Sequence, residues 1–598
     1  MLDDLSYYDK NIPCLAACPV HTNAGMYVAA IADGDDELAY LTARLPNPFS
    51  SVCGRVCAAP CEDACRRGAI DQPIAIRALK RFLTERYGPE TGRSGVGPAP
   101  AAHRSESIGI VGGGPAGMAC AHDLRLLGYS VTVYEATDRL GGAMWLGIPE
   151  YRLDRSVLQA DIDAIVGLGV DVQLNTRLGH DITLDELRSR HDAVFLGIGA
   201  TLGRGLDIDG ADADGVFKAI EFLINMNRGF AVDVGDRVLV IGGGDVAMDA
   251  ARTALRASDY EADEGDRRSS MTEALDVART ATRAGARHVT VMSLEAREEM
   301  PAHDFEVEEA EHEGITFVPR RGPVRIVTEA NRAIGVETKK VQSVFDAEGR
   351  FAPVFDDADR LIIEADTVIL AIGQAIDLDA LGANGPDVSP RRTIGIDNAT
   401  GRTSLAAVWS GGDAAKGPRT LIDAVADGRR AAADIHRTFG GSEVAPQPAT
   451  FVRLEQFHRL TDTYDRDDRL AVPTLETGRR VGLAEVELGF TEQQARCEAA
   501  RCLRCFANIV LDVQRCVLCA LCADVCPVDV ISLVPASEIA PEAVGTALLL
   551  DEERCIRCGL CIERCPPDAL AMGVWTGASV PVTPEPVSVP VSVGALSR

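Results

Sequence analysis

Positive charge is scarce in this chain: 60 Lys and Arg against 89 Asp and Glu leave a formal net charge of −29. Nucleic acids and anionic membrane surfaces both recruit basic surfaces, so neither is expected as a partner. Long apolar runs are missing too, and none reaches the roughly 18 residues that a membrane-spanning helix needs. Residues 1–9 are acidic and lack the basic head and apolar core of a secretion signal. A cytoplasmic protein without a membrane span is therefore expected. Signatures for molybdopterin, thiamine or a glutamine amidotransferase are also absent, which leaves no evident site for a second organic substrate.

Cysteine, by contrast, is abundant: 18 residues gathered in C-x-x-C and C-x-x-x-C spacings. Without an export signal, these predict metal ligation in a reducing compartment rather than disulfides. The 598 residues suffice for roughly four domains.

Residues 107–136, SIGIVGGGPAGMACAHDLRLLGYSVTVYEA, organise the rest. The pattern predicts a strand over 108–111, a helix over 115–127 and a second strand over 130–134. Gly112, Gly114 and Gly117 form G-x-G-x-x-G at the turn, with Pro115 and Ala116 opening the helix. Such glycines let backbone approach a pyrophosphate, which the free N–H groups of the helix then bind. Glu135, 23 residues after Gly112, is the carboxylate expected on a ribose. Gly141 and Gly142 suit close contact with a flavin.

A second unit, RVLVIGGGDVAMDAARTAL over 237–255, carries Gly242-x-Gly244-x-x-Ala247, with Asp245 opening its helix. Two units mean two dinucleotides, usually a resident flavin and an exchanging nicotinamide. After the partner strand over 288–292, Glu295 is the candidate ribose acid. An acid there favours NAD(H) over NADP(H) by repelling a 2′-phosphate, and Arg297 nearby works against that preference. Residues 367–373 return the chain to the flavin domain. There VWSGGD and a helix over 421–435 bring Gly412, Asp413 and Thr420 to the flavin. Charged residues 258–283 read as a solvated insertion.

Cys14, Cys18, Cys53, Cys57, Cys61 and Cys65 lie in a helical N-terminal stretch broken by Gly54 and Pro60. Spacing alone fits iron–sulfur clusters, with zinc as the rival. Cys516, Cys519, Cys522 and Cys526 followed by proline repeat 39 residues later as Cys555, Cys558, Cys561 and Cys565. This is the bacterial two-cluster ferredoxin signature, in which the fourth cysteine of each run serves the other cluster. One cluster is thus assigned Cys516, Cys519, Cys522 and Cys565, and the other Cys555, Cys558, Cys561 and Cys526.

The motifs CGRVCAAPCEDAC, VGGGPAGMACAHDL, LGGAMWLGIPEYRL, GGGDVAMDAARTAL, REEMPA and GGDAAKGPRTLIDAVADGRRAA span about residues 10–440. They resemble the glutamate synthase small (beta) subunit. They are also similar to the matching half of dihydropyrimidine dehydrogenase and to the large subunit of NADH-dependent ferredoxin:NADP transhydrogenase. The resemblance implies FAD in the first unit, a nicotinamide nucleotide in the second and [4Fe-4S] clusters in the N-terminal domain.

Three departures stand out. Leu294 and Glu295 occupy positions where NADPH-using relatives carry paired arginines, which strengthens the case for NADH. The C-x-x-C that usually opens the family is missing at the N-terminus, and its phrase returns late as EAARCLRC with Cys502 and Cys505. The Glu or Gln ligand usual after the last N-terminal cysteine is replaced by Lys80. A fold-back of Cys502 and Cys505 repairs the count. One N-terminal cluster would use Cys14, Cys65, Cys502 and Cys505. The second would use Cys18, Cys57 and Cys61, with Cys53 standing for the missing ligand. Together with the ferredoxin pair this makes four [4Fe-4S] clusters on 16 cysteines, leaving Cys120 and Cys497 over.

The expected fold is a multidomain α/β chain. A helical iron–sulfur domain (1–100) precedes two interleaved Rossmann-like domains, one for FAD (107–236 and 373–440) and one for NAD(H) (237–372). A linker (441–509) completes the N-terminal cluster domain, and a bacterial-ferredoxin-like α+β domain (510–575) and an extended tail (576–598) follow. The expected function is hydride transfer between NAD(H) and FAD, then single-electron transfer through the clusters. The expected partner is a large catalytic oxidoreductase subunit or ferredoxin, in a hetero-oligomer. No side chain is required as acid or base. The alternatives are a glutamate synthase small subunit, a stand-alone NAD(P)H:ferredoxin oxidoreductase with or without bifurcation, an electron-transfer scaffold with a dead nucleotide site, and a redox sensor.

Overall fold

The computed structural model describes residues 10–92, 100–230, 232, 234–257, 286–441, 450–454 and 466–576. The insertion at 258–283 and nearly all of the tail lie outside the described residues.

Two parallel sheets occupy the centre. The first orders Val408–Ser410, Ala193–Leu196, Ser107–Val111, Ser130–Tyr134 and Asp171–Gln173. The second orders Val216–Lys218, Thr367–Leu370, Arg237–Ile241, His288–Met292 and Thr316–Val318. Their inner strands read as near-continuous apolar runs because helices cover both faces of a parallel sheet. Each glycine turn sits at the carboxyl end of a central strand, where the next helix begins (Pro115–Leu126 and Asp245–Leu255). A three-stranded antiparallel sheet, Arg321–Glu329, Arg332–Phe345 and Phe351–Glu364, extends the second domain.

Close packing fixes the flavin-domain layers. Helix Leu421–Thr438 lies on helix Pro115–Leu126. A Cβ on Gly428 would stand 2.0 Å from the Ala116 carbonyl oxygen, so only glycine allows that approach.

The N-terminal domain is helical: Ala24–Asp33, Asp36–Arg44, Ser50–Val56 and Ile76–Tyr87. Asn23 and Asp35 cap the first two with side-chain oxygens that accept from Met26 N–H and Leu38 N–H. Ser50–Val56 borrows its cap from the flavin domain. Asp161 Oδ2, on helix Arg155–Val166, accepts from Ser51 N–H and Val52 N–H, both at 3.1 Å.

Residues 466–500 form a strap over the N-terminal and nucleotide domains, not a free linker. Val486 N–H donates to Tyr151 carbonyl at 3.0 Å. Arg480 reaches Glu309 at 2.6 Å. Helix Glu492–Ala500 packs on Ala24–Asp33, with the fully buried Glu498 accepting from Ala75 N–H at 2.9 Å. Upstream, Thr450–Arg453 pairs with Leu570–Thr576, which also pairs with Asn508–Leu511, so a segment read as linker covers an edge of the ferredoxin-like sheet. The strand runs through Thr576, the first residue assigned to the tail.

The ferredoxin-like domain repeats its own backbone. Left-handed residues Leu518 (φ 54°), Ala520 (64°) and Asp529 (51°) recur 39 positions later as Arg557 (59°), Gly559 (78°) and Asp568 (52°). No helix among the described residues is long and apolar enough to cross a membrane.

Candidate redox cofactor sites

At the first glycine turn, a Cβ on Gly112 (φ +98°) would lie 2.3 Å from Gly197 O, and one on Gly117 1.9 Å from Gly112 O. Gly114 instead faces open space: its Cβ would meet only Gly142 Cα, at 3.8 Å. Glu135 Oε2 accepts from Gly113 N–H at 2.8 Å, and Oε1 from Thr137 N–H at 2.8 Å and its hydroxyl at 2.9 Å. Gly412 (φ +64°) abuts Ala116 from the other side. Asp413 opens the short helix Asp413–Lys416, and burial raises its carboxyl to about 6. Gly141 N–H donates to Gly113 O at 2.8 Å, which ties that loop to the turn. Thr420 caps helix Leu421–Thr438, and its hydroxyl donates to Asp423 at 2.6 Å. The open, glycine-walled space at a helix N-terminus fits a dinucleotide diphosphate.

The second turn repeats the design. Gly242 (φ +147°) presses on Ala371 O, whereas nothing lies within 4 Å of a Cβ on Gly244. Glu295 Oε2 stands 3.2 Å from the Cβ position of Gly243, the same distance as Glu135 Oε2 from that of Gly113. Ala247 is fully buried in the helix. Asp245 opens the helix at this turn. Its carboxylate accepts from His303 N–H at 2.9 Å and meets His303 Nδ1 at 2.8 Å. It thus pins the REEMPAH loop to the turn, helped by Ala302 N–H donating to Gly243 O at 2.9 Å. The neighbouring cations are paired: Arg297 with Glu311 at 3.0 Å, Arg320 with Glu299 at 2.7 Å, and Arg321 with Asp359 at 2.8 Å.

The cysteines gather in sets. Cys14, Cys65, Cys502 and Cys505 line one cavity with Arg66, Ile74 and Ile76. Cys18, Cys53, Cys57 and Cys61 act together on the buried charge of Lys80. A hydrogen bond from the Cys53 thiol holds Cys57 down at about 6. A second cavity, around the third set, is lined by Cys516, Cys519, Cys522 and Cys565. In the fourth set, burial and then the charges of Cys555, Cys558, Cys522 and Cys526 push Cys561 up to about 12. Cys120 is buried in the fingerprint helix and Cys497 is exposed. Cys57 apart, buried thiols crowded in this way resist ionisation unless a cationic core meets them.

Backbone geometry supports such a core. The third residue of every C-x-x-C loop at 502–505, 516–519 and 555–558 is left-handed: Arg504 (φ 52°), Leu518 and Arg557. Ala59 (φ 53°) holds the same place after Cys57. The turn aims peptide N–H groups at sulfur: Arg504 N–H to Cys502 Sγ and Ala59 N–H to Cys57 Sγ, both at 3.4 Å. N–H···S bonds of this kind stabilise iron–sulfur ligands. Among the described residues, no three His, Cys, Asp or Glu side chains converge on a single metal ion. A zinc ion would draw four sulfurs to about 2.3 Å of one point. Two of the sets, those of Cys14 and of Cys516, ring spaces, which fits a cluster better than zinc.

Sequence reasoning missed Asp161, and it saw Lys80 only as a non-ligand. Neither carries a local motif, because each acts through helices that meet only in the fold.

Residues 106–428 match the family described as pyridine nucleotide-disulphide oxidoreductase. Residues 7–90 match the dihydropyrimidine dehydrogenase domain II, 4Fe-4S cluster family, and residues 515–569 the 4Fe-4S dicluster domain. The chain is 35% identical over 83% of its length to the NADP(+)-dependent formate dehydrogenase subunit beta of Moorella thermoacetica, covering 70% of that protein. It is 30% identical over 72% of its length to the glutamate synthase [NADPH] small chain of Azospirillum brasilense, covering 87% of it. Against the NAD-dependent dihydropyrimidine dehydrogenase subunit PreT of Escherichia coli K12 it is 31% identical over 72% of its length, covering 92%. The chain belongs to the pyridine nucleotide-disulphide oxidoreductase family and is a flavo-iron–sulfur NAD(P)H oxidoreductase.

Proposed function

We propose that this chain is the NAD(H)-linked electron module of a hetero-oligomer, passing single electrons through four [4Fe-4S] clusters to a large catalytic subunit or a ferredoxin. The observation that carries this reading is a succession of apolar cores, each holding cysteines of one or two sets. Cys18, Cys53 and Cys57 share one core with Ala116 and Met144 of the flavin domain. Cys61 joins Cys14, Cys65 and Cys502 in the next core. Cys505 meets Cys558 through Leu503 and Ile556. Cys555, Cys561, Cys526, Cys522 and Cys565 fill the last core, and Cys519 is exposed at its end. Bound FAD supplies the conversion between a hydride pair and single electrons. The glycine turns orient the two dinucleotides, and the apolar cores keep water from the buried cysteines, among them Cys18, Cys53, Cys57 and Cys561.

Preference for NADH rests on Glu295 and on the carboxylates that already pair Arg297, Arg320 and Arg321. Relatives named for NADP(+) or NADPH and for NAD both occur at similar identity. The test is anaerobic stopped-flow at equal NADH and NADPH. Flavin bleaching much faster with NADH is expected, and equal rates overturn the role of Glu295. Iron analysis of the same sample should give about sixteen irons per chain. Native purification with mass spectrometry then identifies the partner.

A further inference from the structure

Lys80 is a buried charge that neither nucleotide site uses. It lies in helix Ile76–Tyr87 with 7% of its surface exposed. Among the described residues, no carboxylate pairs with its ammonium. Its ammonium lies 5.8 Å from the centre of the Tyr27 ring, within the electrostatic reach of the Cys53, Cys18, Cys57 and Cys61 thiols. The arrangement is built by a close helix crossing. A Cβ on Gly54 would stand 2.8 Å from Arg81 Cα, so glycine lets Ser50–Val56 press against Ile76–Tyr87 and carries Cys53 to Lys80. An ammonium taken out of water needs an anion. Four thiolates on a [4Fe-4S] core supply a strong one: that body is doubly negative when oxidised and triply negative when reduced.

We propose that Lys80 is a positioning residue that raises the reduction potential of the cluster held by Cys18, Cys53, Cys57 and Cys61, the set packed against the flavin domain. The proposal rests on the reading of those four cysteines as one ligand set. The step is simple in its balance: the cluster gains one electron, the flavin loses it, and the ammonium keeps its proton. Because the fixed positive charge attracts the added electron, this cluster is biased to accept electrons from the flavin rather than return them. Net charge and hydrogen bonding are the means by which proteins move such potentials.

The experiment is an EPR-monitored redox titration of the anaerobic holoprotein and of K80M, K80Q and K80R, with iron and FAD content measured on each sample. In K80M and K80Q, the equilibrium constant for reducing one cluster should fall at least tenfold, about 59 mV for a one-electron couple. The remaining clusters should stay unchanged, and K80R should remain within threefold of the wild type. A shift below twofold in both neutral variants, with iron intact, overturns the role of Lys80. Loss of that cluster's iron from both neutral variants, with FAD retained, also overturns it, because the charge would then serve assembly instead of potential. C53S/C57S separates the two levels of failure. Unchanged iron in that variant sinks the ligand set itself, whereas an unshifted potential with iron present sinks Lys80 alone.

Discussion

At the scale of single residues, the left-handed third position ties the late C-x-x-C to the ferredoxin loops. Arg504, Leu518 and Arg557 share a φ between 52° and 59°, which non-glycine residues adopt rarely and at a cost. Arg504 has no short side chain or glycine freedom to excuse it, and its N–H points at Cys502 Sγ. The turn is therefore shaped for a sulfur ligand. C502S/C505S should remove about four irons per chain while FAD content stays constant; colorimetric iron analysis and flavin release on one sample check this. No iron loss would remove Cys502 and Cys505 from the ligand set.

Helices decide the next scale. Gly428 holds Leu421–Thr438 against Pro115–Leu126 at the Ala116 carbonyl, beside the turn that faces the diphosphate space. Gly428→Ala should gain helix propensity yet lose about 1–3 kcal/mol through overpacking, with FAD released more readily; thermal unfolding followed by flavin fluorescence reads both. A second prediction concerns the buried ion network between Asp245–Leu255 and Asp304–His312. Burial pushes the Glu313 carboxyl up, but hydrogen bonds from Arg256 and Arg252 outweigh it and hold the group at about 2, below its ordinary 4.5. A depressed acid stabilises the fold above its unfolded value, so this contribution is present above 4.5 and fades as pH falls toward 2. E313Q should cost about 3–5 kcal/mol at neutral pH, and the gap to wild type should narrow below pH 4.5 in urea titrations. A gap independent of pH would assign the effect to packing.

For the whole molecule, what matters is that the strap 466–500 runs from the N-terminal domain to the nucleotide domain and back to the N-terminal helices before the ferredoxin-like domain begins. Arg480 meets Glu309 of the nucleotide domain, and Arg469 meets Glu62 beside Cys61, at 2.5 Å. Arg66 then donates to Cys555 carbonyl at 3.2 Å, which joins the two cysteine-bearing domains directly. If the exit lies at the far set, C516S/C519S should leave NADH-driven dye reduction largely intact while cutting reduction of an added ferredoxin more than tenfold. Equal loss of both activities would move the exit elsewhere.

The glycine turns, their strands and helices, Glu135 and the 39-residue cysteine repeat were legible because each is written within one βαβ unit or one duplicated motif, where spacing alone fixes geometry. Even the placing of Cys565 beside Cys516, Cys519 and Cys522 follows from a repeat this short. The N-terminal sets are different. Cys14 and Cys65 stand more than 400 residues from Cys502. Only the docking of Glu492–Ala500 on Ala24–Asp33 brings them to one cavity. The same holds for Asp245, whose carboxylate turns to His303, for Thr450–Arg453, which joins a sheet, and for Lys80 among four thiols. Local sequence decides which backbone turns and ligand types exist. Burial decides which of them meet, because a charge or thiol removed from water takes whatever partner the packed helices supply.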